Sequence, residues 1–380
     1  MYKKKIIAVT QCFPCGSWLS IEKILDVLAT SGFEVIILGL GELQSKNPKF
    51  KYHVIPYLAF NKFGDITTRS PILNFLWNLP LIVGGLILTA LQKPTFVTYN
   101  GLATGLTLAP LVRVFGPKSI IMYHTFIGEV TNKALLFLLK LLGKSVDIVV
   151  VNSQGSGKDA ETFIEKKKIV INEHFADDVF FSNDSKETNG GNTLTIAYAG
   201  RIDEDKLCFP LVHAAKKMYK EHRTDIQFNF AGAGKDANVV ETLAKNCPNI
   251  HYFGYIKERK ELKQFYNKAD VIWAFADETY LALPAIEALA CGKPILIPKY
   301  AAISGSKKLV NESLVPNDVG WLVDTNDENS VINLLDEISK NKYYLNMNNA
   351  CIKLASEKYS KKNVEVVAEE IIALAKSNDE

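Results

Sequence analysis

Short apolar segments rich in β-branched residues recur along this chain, each followed by a stretch with helical spacing. Before residue 175 they read KIIAVT, FEVIIL, YHVIP, TFVTY, SIIMY, VDIVVVN and KIVIN, with helical patterns such as Ile21–Ser31 and Leu102–Phe115 between them. Strands that are apolar on both faces belong in parallel sheets covered by helices on both sides. A polar run, FADDVFFSNDSKETNGGN (Phe175–Asn192), then breaks the rhythm and reads as a linker. The alternation restarts with TLTIAYAG, IQFNFAG, IHYFG, DVIWAF, PILIP and GWLV. The expectation is an α/β chain of two doubly wound domains facing across a cleft. The first covers residues 1–175, a linker covers 176–192, and the second covers 193–357. In such sheets ligands bind at the carboxyl ends of the strands, where Gly-rich turns lead into helices.

A chain of 380 residues is too long for one compact core, which agrees with two domains. The net charge of +3 gives no global signature of nucleic-acid binding, and no nucleic-acid partner is expected. Its distribution is uneven. Met1–Phe175 has 19 Lys and Arg against 11 Asp and Glu, hence +8, and the remainder carries −5. A basic first half suits an anionic membrane surface or a phosphorylated acceptor, and ordinary solvated lysines fit as well. Six thinly spread cysteines point to a reducing compartment. The apolar run after Met1 is too short for a signal peptide, and PLIVGGLILTAL (Pro80–Leu91) is too short to span a bilayer. The expected location is the cytoplasm, with a peripheral place at the inner face of the membrane. Pro71–Leu91 reads either as a core helix or as a lipid-facing surface. Cys12 and Cys15 form a C-x-x-C without a second pair, which argues against a metal or redox site. GSGKD (Gly155–Asp159) lacks the first Gly and the final Ser or Thr of a phosphate-binding P-loop.

The chemistry concentrates in the second half. AGRIDEDK places Gly200 at a turn, then Arg201 and Lys206 before a helix expected near Leu207. Two cations at a strand–helix junction suit a diphosphate, and an ion pair with Asp203, Glu204 or Asp205 explains the charges too. FAGAGKD offers Gly232 and Gly234 for close backbone approach. In TYLALPAIEALACGKPILIP, Pro284 suits a first helical turn whose free N–H groups can hold an anion. Glu287 could accept from two sugar hydroxyls, or simply complement the helix dipole from the first turn.

The order G-R-x₄-K, G-x-G, YFGY, ADVIWAF and L-P-x-x-E-A-x-A-x-G-x-P resembles the retaining glycosyltransferases of the GT-B type, which have two Rossmann-like domains. The family is that of the group 1, or family 4-like, enzymes. The resemblance is strong from Leu194 to Val323 and is an outline only in the first half. It implies a diphosphate clamp at Arg201 and Lys206, with Gly200 and Gly232 in the turns around the donor. Glu287 matches the ribose-binding Glu. The Leu283 position meets the phosphates through its backbone N–H, and Tyr255 and Ile256 fall where the base is held. Where the family has E-G-F-G-L-P, this chain has Thr279, Tyr280, Leu281, Ala282 and Leu283 before Pro284, with Glu278 one place earlier. Either Glu278 or Thr279 then serves the donor sugar. In the first half, Gly16 matches a loop glycine near the donor phosphate, and His124, just past SIIMY, matches a His near the transferred sugar. Helix 358–380 resembles the family's terminal helix, which packs back on the first domain.

These resemblances imply transfer of a sugar from a nucleotide-diphosphate sugar to a glycan or lipid-linked acceptor, with retention and without a metal or other cofactor. Two alternatives stand beside this reading: a sugar-nucleotide epimerase of the same two-lobe fold, which also holds a nucleotide diphosphate in its cleft, and a non-catalytic nucleotide-sugar-binding protein.

Overall fold

The computed structural model describes residues 4–10, 16–40, 47–55, 71–122, 133–181, 193–203, 207–300 and 308–376. By packing, the chain divides into two compact units. Unit 1 is Met1–Glu173 with Lys362–Glu380, and unit 2 is His174–Lys361.

Unit 1 runs β1 (Lys5–Thr10), α1 (Gly16–Thr30), β2 (Glu34–Leu40), β3 (Phe50–Ile55), α2 (Pro71–Gln92), β4 (Phe96–Asn100), α3 (Leu102–Val112), β5 (Lys118–Met122), α4 (Lys133–Gly143), β6 (Ile148–Val151), α5 (Gln154–Glu161) and β7 (Ile169–Ile171). Its seven strands are ordered β3-β2-β1-β4-β5-β6-β7, and every pairing is parallel. Ile6, Ile7, Val35, Val97, Ile120 and Val149 have no appreciable exposure, as strands covered on both faces require. The layer α2–α3–α4 lies on one face of this sheet. On the other face α1 packs against the chain's last helix, Lys362–Lys376, whose Val364, Val367 and Ile371 are fully buried. Within GSGKD, Ser153 Oγ accepts from the Ser156 N–H, so this segment caps and begins α5.

Unit 2 runs α6 (Asp178–Phe181), β8 (Leu194–Ala199), α7 (Phe209–Lys220), β9 (Ile226–Ala231), α8 (Ala237–Asn246), β10 (Ile250–Tyr252), α9 (Arg259–Asn267), β11 (Val271–Trp273), α10 (Leu283–Ala290), β12 (Ile295–Pro298), β13 (Gly320–Val323), α11 (Glu328–Asn341) and α12 (Asn348–Lys358); the last helix of the chain is α13. The order is β10-β9-β8-β11-β12-β13, again all parallel. One apolar layer joins α6, α9, α10 and α12 to the sheet, and a second joins α7, α8 and α11. Strand order reverses between β8 and β11, which makes their carboxyl ends the crevice where such sheets take ligands.

Two boundaries differ from the sequence expectation. Residues 174–181, read as the end of the first domain and the start of a linker, pack in unit 2. There the Ala176 N–H donates to Tyr359 O at 2.9 Å, and Phe180 is buried against Tyr266. The single terminal helix expected from 358 is broken. α12 ends at Lys358, Tyr359 is buried in unit 2, and α13 begins at Lys362. Among the described residues no helix is long and apolar enough to cross a membrane.

Candidate functional site

Three turns at the carboxyl ends of β8, β9 and β10 lock together through backbone. Gly200 N–H donates to Ala231 O at 3.0 Å, Gly232 N–H to Gly254 O at 2.7 Å, and Tyr252 Oη to Gly232 O at 2.8 Å. Gly232 has φ +143°, and a Cβ there would lie 1.8 Å from Gly200 O; one on Gly234 would lie 2.3 Å from Ile202 O. The missing side chains therefore serve the approach of one turn to the next, giving a stiff floor. On it, Arg201 stands largely exposed, with Nε 2.7 Å from Asp203 Oδ2. Asp203 is itself buried, and its Oδ1 accepts the Lys235 N–H at 2.8 Å. The ion-pair reading of this cation is met by Asp203, and the Arg201 side chain remains largely exposed. Tyr255 is exposed after β10, while Ile256 is half-buried against the core.

The β11–α10 connection is a tight hairpin. Ala276 and Leu281 bridge in antiparallel fashion, and Asp277 N–H donates to Tyr280 O at 2.9 Å, leaving Glu278 and Thr279 at the tip. Glu278 is half-exposed and pairs with Lys308 at 3.0 Å. Burial raises the Asp277 carboxyl above its usual range, although the Glu278 N–H holds it at 2.6 Å. The Tyr280 ring meets His174 edge-on at 5.7 Å, and burial lowers His174 to a pKa of about 4. Leu281 and Ala282 are buried, which leads the chain into α10 at a fixed angle. Ala282 occupies the N-cap position and brings no side-chain acceptor, so no side chain caps the helix start at Leu283. Pro284 lies in the first turn as its chemistry favours.

Glu287 sits in the second turn of α10 and not the first, so the dipole-complementing alternative does not hold. It is almost fully buried. Arg259 Nη1 donates to Oε1, Tyr266 Oη donates to Oε2 at 3.1 Å, and the Arg259 guanidinium lies over the Phe180 ring. Burial pushes this carboxyl up, against the opposing pull of Arg259 and Tyr266. Each carboxylate oxygen carries two lone-pair positions, so both oxygens can still accept from further donors.

Unit 2 therefore brings Gly200, Arg201, Gly232, Tyr255, Ile256, Glu278, Thr279, Tyr280, Leu281, Ala282, Leu283 and Glu287 onto its strand ends and the helix that follows them. The helix expected near Leu207 starts at Phe209, because Leu207 takes φ +52° and gives its carbonyl to Trp273 Nε1 at 3.0 Å. Gly16 opens α1 in unit 1. His124, Lys206, Cys12 and Cys15 lie outside the described residues. Sequence reasoning missed Arg259, Tyr266 and His174. The first two lie on α9, and only the fold brings them to Glu287. Among the described residues no three His, Cys, Asp or Glu side chains form a group that could hold a metal ion.

The sequence model of the family described as Glycosyl transferases group 1 matches residues 180–358, essentially all of unit 2. No curated protein sequence matches the chain. Among solved structures, HepE from Anabaena in complex with UDP is similar over 97% of this chain and 100% of its own, at 14% identity and a TM-score of 0.71. Sucrose-phosphate synthase from Thermosynechococcus elongatus matches over 99% and 100%, at 14% identity and 0.73. WaaG, a glycosyltransferase involved in lipopolysaccharide biosynthesis, matches over 97% and 99%, at 13% identity and 0.66. Residues 180–358 are thus similar to the group 1 glycosyl transferases, and the two Rossmann-like units have the GT-B fold of these solved structures.

Proposed function

We propose that this chain is a glycosyl transferase that takes its sugar from a nucleotide-diphosphate sugar and passes it to a glycan or lipid-linked acceptor with retention, without a metal ion. One observation carries the reading. An exposed Arg201, an exposed Tyr255 and the α10 start without a side-chain cap stand on turns and a helix start at the carboxyl ends of β8, β10 and β11 in one unit. The UDP and UDP-glucose complexes of HepE support the donor class.

In this scheme Arg201, with Lys206, faces the diphosphate, and the first N–H groups of α10 take the remaining oxygens. As the glycosidic bond breaks, charge grows on the leaving phosphate, and fixed cations and helix N–H groups stabilise it more than the ground state. Asp203 positions the Arg201 fork, and its own bond to the Lys235 N–H keeps it from turning away. Glu287, oriented by Arg259 and Tyr266, accepts from the ribose hydroxyls. The hairpin tip, Glu278 or Thr279, meets the sugar. The leaving phosphate, on the same face as the acceptor, takes the acceptor's proton, and the family resemblance gives His124 to the transferred sugar. A reducing compartment, the cytoplasm, fits the free thiols of Cys208, Cys247, Cys291 and Cys351.

The test is a thermal-shift series with nucleoside diphosphates and their sugars, since a ligand of the native state alone raises its melting temperature. Arg201→Ala should weaken donor binding by about 2–4 kcal/mol, the range for charge-assisted contacts in a desolvated site. Turnover of the stabilising donor should give a product with the donor's anomeric configuration. Inversion, epimer formation or binding without turnover would each displace this reading.

A further inference from the structure

Helix α4 reads KALLFLLKLLG, apolar on nearly every side, and a helix of that composition belongs inside a core. Here only Gly143 is buried. Phe137 is 70% exposed, and Leu135, Leu138 and Leu141 are about half exposed. The exposure continues onto its neighbours in the layer. Beside α4, α3 leads into a 3₁₀ turn, Arg113–Phe115, where Val114 is 83% and Phe115 half exposed. Next in the layer, α2 buries Leu81 and Ile82 toward the sheet and turns Leu79, Val83, Ile87 and Leu91 outward, four residues apart on one stripe. So many exposed large apolar side chains on neighbouring helices of one layer are more than an ordinary monomer leaves to water.

Its charge is predominantly positive, with Asp147, 3.9 Å from Arg113, the carboxylate at its edge. From Pro71 to Val146 the sequence holds five Lys and one Arg against a single Glu, and α2, α3 and α4 carry no carboxylate. Arg113, Lys133, Lys140 and Lys144 are exposed beside the apolar side chains. The eleven residues of α4 span about 16 Å, enough to lie along an interface and too little to cross it. We propose that the α2–α3–α4 layer of unit 1 docks on an anionic phospholipid surface. The apolar side chains of α4 enter the headgroup–acyl boundary, and the flanking cations meet lipid phosphates. A second copy is a poor occupant, because two-fold pairing of this face would set the same cations against each other. The docking goes beyond the proposed donor chemistry and stands or fails without it.

Flotation of the full chain with vesicles tests this without donor or acceptor. On phosphatidylcholine vesicles holding about one third phosphatidylglycerol, the protein should float at low salt and be released at high salt. It should not float with phosphatidylcholine alone. Phe137→Asp with Leu141→Asp should lower the partition coefficient at least about tenfold. Lys133→Gln, Lys140→Gln and Lys144→Gln together, at exposed positions that preserve the fold, should remove the preference for anionic vesicles. Val239→Asp on unit 2 should change nothing. A wild-type chain that stays unbound at low salt overturns the proposal, and so does a lysine triple variant that floats like wild type. A concentration-dependent dimer lost in Phe137→Asp, with no flotation, assigns the face to a second copy instead.

Discussion

Glu287 was legible as a carboxylate in an odd place, but not as a partner of Arg259, since 28 residues and a strand separate them. A single sequence carries no signal for such a pair, because α9 reads only as a polar helix, RKELKQFYN. The pair changes what removing Glu287 does. Glu287→Ala strands the fully buried Tyr266 hydroxyl and the partly buried Arg259 guanidinium, at a cost of about 2–4 kcal/mol. Denaturant unfolding should show that loss, with Glu287→Gln between wild type and Ala. Nucleotide affinity must then be compared at temperatures where both variants are folded. An unchanged unfolding midpoint in Glu287→Ala would mean that the carboxylate has no structural share. His174 adds a pH dependence. Its pKa falls from about 6.5 in the unfolded chain to about 4 when folded, so the unfolded state binds the extra proton between those values. Its contribution is fully present above pH 6.5 and is lost as pH falls toward 4, about 3 kcal/mol in all. Urea midpoints at neutral pH and near pH 4.5 should drop less in His174→Gln than in wild type. Equal drops would assign the acid sensitivity to other groups.

At the scale of elements, the strands were the clearest part of the sequence, because apolar runs bounded by Gly, Asp or Asn leave little choice of environment. The turns were legible as places but not as arrangements. G-x-G announced a close approach without saying to what, and the partner proves to be the β8 turn. Gly232→Ala should therefore cost about 2–5 kcal/mol, from a Cβ driven into Gly200 O and a positive φ. If a folded variant survives, the β8 turn carrying Arg201 has moved, and donor affinity should fall even though no ligand-facing atom was deleted. Unchanged stability and donor affinity would show that the turns are not coupled. α4 is the counterpart of this case. The sequence shows its leucines plainly, and only the fold shows that they stay outside.

The division into two units followed from the restart of the strand–helix rhythm, whereas its edges did not. Residues 174–181 look like the opening of a linker because they hold two Asp and a short apolar run, yet Phe180 finds a core in unit 2. The role of α13 follows from packing. Lys4 and Lys118 donate to its last carbonyls, and its apolar side lies on α1. A chain ending at Lys361 should lose several kcal/mol from unit 1, since the buried apolar contacts of Val364, Val367, Ala368, Ile371 and Ala375 would be gone. Unit 2 should keep its own unfolding transition and any nucleotide-induced shift. Loss of both transitions together would mean that the units do not fold separately.

The return of α13 also sets a timetable for synthesis. Unit 2 is one uninterrupted piece of chain, while unit 1 needs a piece separated from Glu173 by the 188 residues of unit 2. At roughly 5–20 residues per second, the ribosome takes about 10–40 s to cover that distance. Throughout that interval the α1 surface awaiting α13 has no cover, and unit 2 can finish first. The nascent protein is thus vulnerable at its oldest part, and a ribosome stalled in unit 2 leaves the start of the chain as the client for chaperones.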